Sequence, residues 1–334
     1  MNVVAKEMIG LADIEGARAR IADAVWQTPM LSSATLSEKA GTSVLLKCEH
    51  LQITGSFKVR GATNAVRNLS EDQKSRGVVG VSTGNHGRGL AHAARLAGIR
   101  CIICMSRLAP QAKIDGIEAL GAEVRITGAS QDEAQLEVDR LVAEEGMTML
   151  PPFDNPHVIA GQGTIGLEIL DQAPEVETAI IAVSGGGLVS GVATALKAKR
   201  PDMKVIGVTM ERGAAMYESQ KAGHPVEVEE LPTLADALGG GIGLDNRYTF
   251  QIVRDLVDDF VLVSESEIAA AMRQCYWSER QIIEGSGAVG VSAILGGHVS
   301  PSGTTVVLLC GGNVDMAQHH RVISGEDVDV TAEE

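Results

Sequence analysis

Ala179-Ile180-Ile181-Ala182-Val183-Ser184-Gly185-Gly186-Gly187-Leu188 joins an apolar run to three glycines and then to the helical stretch 187–199. Consecutive apolar residues without polar alternation describe a strand buried on both faces, as in parallel sheets. The glycines turn the chain from that strand into the helix, so the segment reads as half of a βαβ unit. The same pattern recurs along the chain. Predicted strands cover 43–48, 78–82, 100–105, 123–127, 179–184, 204–209, 260–264 and 304–310. Predicted helices cover 12–25, 57–68, 87–97, 110–120, 131–145, 162–172, 187–199, 265–279 and 286–295. The fold class is α/β, with mostly parallel sheet flanked by helices.

Four strand-helix units fall between residues 49 and 150, and Pro151-Pro152 followed by Asp154-Asn155-Pro156 interrupts them. Proline disfavours helix in the residue before it, so the chain is expected to leave one unit there. This predicts a small inserted domain at 49–150, a larger domain made of 1–48 and 151–325, and a frayed acidic tail at 326–334. A chain of 334 residues, 45% hydrophobic, can fill two such cores.

Twenty-eight basic residues against 43 acidic ones leave a net charge of −15. That balance repels nucleic acid and anionic membrane surfaces and leaves a small molecule as the expected partner. No apolar run approaches the roughly 20 residues that span a bilayer, so a cytoplasmic protein is expected. Five scattered cysteines, Cys48, Cys101, Cys104, Cys275 and Cys310, are an odd number and are expected to be free thiols. Cys101 and Cys104 sit in one apolar strand, where positions i and i+3 face opposite ways, so they are not a redox or zinc pair.

Four segments carry chemistry. Glycines 185–187 let backbone N–H groups converge on an anion, and the following helix N-terminus adds partial positive charge. The run lacks both the Lys-Ser/Thr of a P-loop and the spacing of a dinucleotide fold, so it is a phosphate cradle of another kind. In Thr54-Gly55-Ser56-Phe57-Lys58-Val59-Arg60-Gly61, Lys58 occupies the first turn of a helix among small and apolar residues. Desolvation there lowers an amine's pKa and frees it as a nucleophile towards an aldehyde. Ser82-Thr83-Gly84-Asn85-His86-Gly87 opens a helix with hydroxyls, an amide and free backbone donors, which suits a ligand bearing a carboxylate and a phenolic oxygen. Leu308-Leu309-Cys310-Gly311-Gly312-Asn313 sets a thiol at the tip of the last strand. Each has a plain structural alternative: a surface lysine, an N-cap turn, a core cysteine.

In this order and spacing the four segments resemble the fold-type-II pyridoxal-phosphate enzymes, specifically the threonine/serine dehydratase and serine racemase family. The resemblance runs from about Ile14 to Asn313 and includes Ala160-Gly161-Gln162-Gly163-Thr164-Ile165. It implies two open, twisted, mostly parallel sheets with the cofactor between the lobes. It also implies that Lys58 carries pyridoxal 5'-phosphate as a Schiff base and that Phe57 and Asn85 contact its ring. Gly185, Gly186, Gly187 and Leu188 would bind the phosphate, Cys310 would face the ring nitrogen and Glu284 would lie near the ring. Ser56, Thr83, Gly84 and His86 would hold the substrate, with Lys58 and Thr83 as the catalytic pair. The implied reaction removes water and then ammonia from a β-hydroxy α-amino acid, leaving a 2-oxo acid. A homodimer is implied by resemblance alone.

The chain departs from the family in several places. Gly207-Val208-Thr209-Met210 and Ala215 stand where cation-binding members carry two carboxylates, so no metal is expected. Thr83 replaces the serine of racemase-type members, and its methyl group disfavours racemisation. Ala237, Gly240 and Ile283-Glu284-Gly285-Ser286 alter the pocket wall. With no regulatory domain expected, a catabolic role follows. The run 239–248 is most similar to hydroxyectoine-utilisation dehydratases, which points to 3-hydroxy-2,4-diaminobutyrate. Threonine, serine and 3-hydroxyaspartate remain open as substrates, as does racemisation.

Overall fold

The computed structural model describes residues 9–82, 84–109 and 111–326. Thr83 and the tail beyond residue 326 lie outside the described residues.

Among the described residues ten strands form two sheets. They are β1 (Met30–Ser32), β2 (Val44–Lys47), β3 (Val78–Val81), β4 (Cys101–Met105), β5 (Glu123–Ile126), β6 (Thr148–Met149), β7 (Thr178–Ala182), β8 (Lys204–Met210), β9 (Asp259–Val263) and β10 (Thr305–Leu308). The larger sheet runs β1-β2-β10-β7-β8-β9 and the smaller runs β5-β4-β3-β6. Every pairing is parallel except β1 against β2. Parallel strands need crossovers, and helices supply them on both faces.

Burial matches that architecture. Ile180, Val205, Val208 and Val307 in the large sheet are fully enclosed, each contributing about 1.5–3 kcal/mol relative to exposure. Cys101 and Cys104 fall into different apolar clusters, Cys101 beside Leu90 and Ile103 and Cys104 beside Val79 and Leu141. They are therefore on opposite sides of the small sheet, and all five cysteines are free and buried.

Several boundaries differ from the sequence expectation. The first helix ends at Ile21 instead of reaching 25, and the helix expected at 162–172 starts at Pro156. Asn155 caps that helix, its Oδ1 accepting from His157 and Val158 N–H, with proline at the first helical position. The signal read as a break is therefore also a helix start. Strands β1 and β6 were not expected; three and two residues are too few to show a period. Helices at Ala34–Ala40, Glu71–Arg76, Ala215–Ala222, Thr249–Leu256 and Met316–Ile323, each of about two turns or fewer, were also missed. In the last of these helices His319 is buried against Tyr276.

Candidate active site

Parallel strands ending on the same side bring distant loops together, and here they enclose one cavity. It is lined by Phe57, Lys58, Asn85, Phe153, Ser184, Gly185, Gly186, Gly187, Leu188, Ala237, Glu284, Ser286 and Cys310, among others, and its space between atoms, including the part open to solvent, is about 470 Å³. A larger cleft near Arg18 and Lys199 lies on the far side, and both cations there are already paired, with Asp171 and Glu15.

Lys58 is the first residue of the helix Lys58–Arg67. Two neighbouring helices clasp its backbone at glycines. A Cβ on Gly89 would stand 3.0 Å from the Lys58 carbonyl carbon, and one on Gly161 would press on the Arg60 carbonyl at 2.7 Å. The Lys58 amine donates to Pro152 O at 2.9 Å and lies 5.3 Å from the Phe57 ring centre. Burial lowers its pKa to about 8, against the opposing pull of Cys310 and Glu284. About a tenth of this amine is therefore uncharged at pH 7, and about half at pH 8.

Beneath the helix lies a network that sequence reading missed. Arg60 meets Glu49 through two 2.8 Å bonds and Glu168 at 2.6 and 2.9 Å. Lys47 reaches Glu168 at 2.7 Å, and all four side chains are buried. Burial works against each charge, but Arg60 holds the Glu49 carboxyl below its usual range. Two cations and two carboxylates satisfy one another around the first turn that carries Lys58.

Gly186 takes a left-handed conformation, φ 86°, and ends the turn from β7 into the helix Gly187–Lys199. First-turn amides of that helix have no intrahelical acceptor. Any side chain at Gly185 would overlap the Phe153 ring, and one at Gly187 would meet Phe153 Cβ at 2.9 Å. The Ser190 hydroxyl, one turn on, is buried without a partner among the described residues. Bare amides, an orphaned hydroxyl and a facing lysine fit a phosphorylated aldehyde.

Asn85 opens the helix Asn85–Ala97. Its Nδ2 donates to Glu284 Oε1 at 2.7 Å and its Oδ1 accepts from Asn313 Nδ2 at 2.6 Å. Asn313 N–H in turn donates to Glu284 Oε2 at 3.1 Å. Burial raises Glu284 to about 7, with Asp236 adding to the shift and Asn85 opposing it. Cys310 is pushed up by burial and is a neutral thiol, its Sγ donating to Ser286 O at 3.4 Å.

Ser56, Gly84 and His86 lie beside this cavity rather than on its wall. The Ser56 hydroxyl is buried without a partner among the described residues. Gly84 N–H donates to Ser82 Oγ at 3.2 Å. His86 Nε2 lies 2.8 Å from Leu150 O, and since a carbonyl only accepts, that nitrogen carries the proton. Burial and Lys58 hold His86 down at about 4, so it is neutral and its ring is already engaged. Phe153 was absent from the expected set, Ser286 entered it only within the stretch expected to alter the pocket wall, and for Asn313 a signal existed in its place just beyond Cys310-Gly311-Gly312.

Fold and site define a two-sheet α/β protein in which a desolvated lysine and a glycine turn at a helix start line one cavity. Residues 21–311 match the family described as pyridoxal-phosphate dependent enzyme, and the chain belongs to that family. A provisionally named threonine dehydratase of Sinorhizobium fredii is 57% identical over 318 residues, 95% of this chain and 96% of that one. L-threonine ammonia-lyase of Thermotoga maritima is 42% identical over 317 residues, covering 95% of this chain and 79% of that one. Among solved structures, maize serine racemase superposes with a TM-score of 0.89 at 35% identity, over 94% of this chain and 97% of that one.

Proposed function

We propose that the chain is a catabolic lyase that converts a β-hydroxy α-amino acid into a 2-oxo acid and ammonia, with Lys58 as the catalytic base and Schiff-base lysine. The observation that carries this reading is one cavity holding the lowered Lys58 amine, the glycine turn 185–188 and a neutral Cys310 thiol. Relatives named for threonine dehydration support the reaction class.

Pyridoxal phosphate, when bound, supplies an electron sink for the carbanion left at Cα. Amides of residues 185–188 would hold its phosphate, Asn85 its phenolic oxygen, and Cys310 its ring nitrogen without donating a charge. Lys58, uncharged, takes the Cα proton; that proton and the hydroxide from Cβ together make up the water lost, and the enamine released takes up water to give 2-oxo acid and ammonia. Amides at the start of the helix Asn85–Ala97, with Ser56 and Thr83, would hold the substrate carboxylate. Threonine, serine, 3-hydroxyaspartate and the hydroxyectoine-derived 3-hydroxy-2,4-diaminobutyrate are the candidates within this class.

The domain division goes with this reading: residues 49–150 as the small domain closing on the larger cofactor-binding one. So do a cytoplasmic location and a homodimer, for which exposed Trp26 and Trp277 offer apolar surface. The test is to add each amino acid to cofactor-loaded protein and follow ammonia and 2-oxo acid. Release of both, lost in Lys58→Ala, supports the proposal; inversion at Cα without ammonia would overturn it in favour of a racemase.

A further inference from the structure

Arg88 lies one turn into the helix Asn85–Ala97, three residues beyond Asn85. It is half-buried, and among the described residues no hydrogen bond or ion pair satisfies its guanidinium. Arg107 and Arg280 also lack partners, but they stand exposed in solvent. A partly desolvated guanidinium without an anion is costly to keep, and burial already presses its pKa down.

Two features set Arg88 beside the cavity, just outside the residues that line it. Its guanidinium rests on Gly116 of the helix Gln111–Glu118, where any side chain would overlap it. The same helix reaches the cavity wall through Lys113, whose Nζ is 3.0 Å from Asp236 Oδ2, next to the lining residues Ala237 and Leu238. The charge that acts on Arg88 from inside is Glu284, which lines the cavity and is already bonded to Asn85 and Asn313. The other anions of the reaction have their own donors, the glycine turn for phosphate and the helix start for the α-carboxylate. Arg88 is surplus to both.

We propose that Arg88 is a specificity-determining residue that pairs with a second carboxylate, at the side-chain end of the substrate. Resting on the lyase reading above, this names the substrate class as β-hydroxy α-amino acids with an anionic end. A guanidinium binds a carboxylate through two parallel hydrogen bonds, and it repels a free γ-ammonium group. It therefore ranks 3-hydroxyaspartate above threonine and 3-hydroxy-2,4-diaminobutyrate below both.

The test compares cofactor-loaded wild type with Arg88→Gln and Arg88→Lys. Ammonia release from 3-hydroxyaspartate and threonine gives kcat/KM for each, and thermal shifts with succinate and with butyrate report binding without turnover. The kcat/KM ratio of 3-hydroxyaspartate to threonine should fall roughly ten- to hundredfold in Arg88→Gln and less in Arg88→Lys, and the succinate shift should be lost. A ratio that moves less than about twofold overturns the proposal, as does an equal loss on both substrates, which would assign Arg88 to the α-carboxylate or the fold. Should wild type release ammonia from neither amino acid, the lyase reading fails by itself. The two thermal shifts then decide: stabilisation by succinate over butyrate that depends on Arg88 supports the anion site, and its absence refutes it.

Discussion

Glu284 Oε1 accepts a hydrogen bond from Asn85 Nδ2 at 2.7 Å across 199 residues of sequence, joining the start of one helix to the cap of another on the cavity wall. Because Asn313 donates both to Glu284 and to Asn85, the Asn85 amide is held with its oxygen towards Asn313. The carboxyl thus orients the amide proposed to meet the cofactor.

That carboxyl also sets a pH dependence. Glu284 titrates at about 7 in the folded chain against 4.5 for an unperturbed glutamate. A raised carboxyl pKa contributes stability fully present below about 4.5 and lost as pH rises through about 7. Glu284→Gln removes this titration, so its stability relative to wild type should rise by about 3 kcal/mol between pH 4.5 and pH 8. Denaturant unfolding of both proteins across that range is the check; parallel curves would show that Glu284 does not titrate there.

Lys58→Ala should abolish ammonia release and the visible absorbance of the cofactor-loaded protein while leaving the fold intact. The amine is held at about 8 by burial, so removing it leaves no buried anion bereft of its partner. Loss of activity is expected to exceed about a thousandfold, since neither a Schiff base nor a proton acceptor remains. Circular dichroism alongside the assay separates lost chemistry from lost structure.

Arg60→Met should destabilise the protein by about 3–5 kcal/mol, because Glu49 loses its guanidinium and Glu168 keeps only Lys47. Glu168→Gln, which keeps the shape, should cost less. Urea midpoints at constant slope measure both. A small effect from Arg60→Met would mean that water reaches the cluster.

Gly185→Ala should weaken cofactor binding about tenfold or more without unfolding the chain, because the new methyl overlaps the Phe153 ring. Gly185→Ala combined with Phe153→Ala should recover part of the loss. Titration with pyridoxal phosphate by absorbance decides this; a double variant as weak as the single one would show that the ring is not the obstacle.

Much of this molecule is written in local pattern. Apolar runs such as Ile180-Ile181 and Ile102-Ile103 fall in central parallel strands, where burial on both faces requires unbroken hydrophobicity. Lys58 at a helix start and the glycine turn after β7 are equally local, since both depend on backbone geometry within a few residues. The short edge strand β1 and the helix cap at Asn155 are local too, yet one is too brief to show a period and the other was read as a break.

The sequence by itself determined the α/β class, the parallel strands and the chemical character of the lysine and glycine segments, because propensity, periodicity and turn chemistry act over neighbouring residues. Only the tertiary structure decided that Phe153 covers Gly185, that Asn313 and Glu284 hold Asn85, and that Arg60 lies between Glu49 and Glu168. Those contacts join distant loops whose meeting depends on how whole sheets and helices pack, and spacing along a chain carries no record of that.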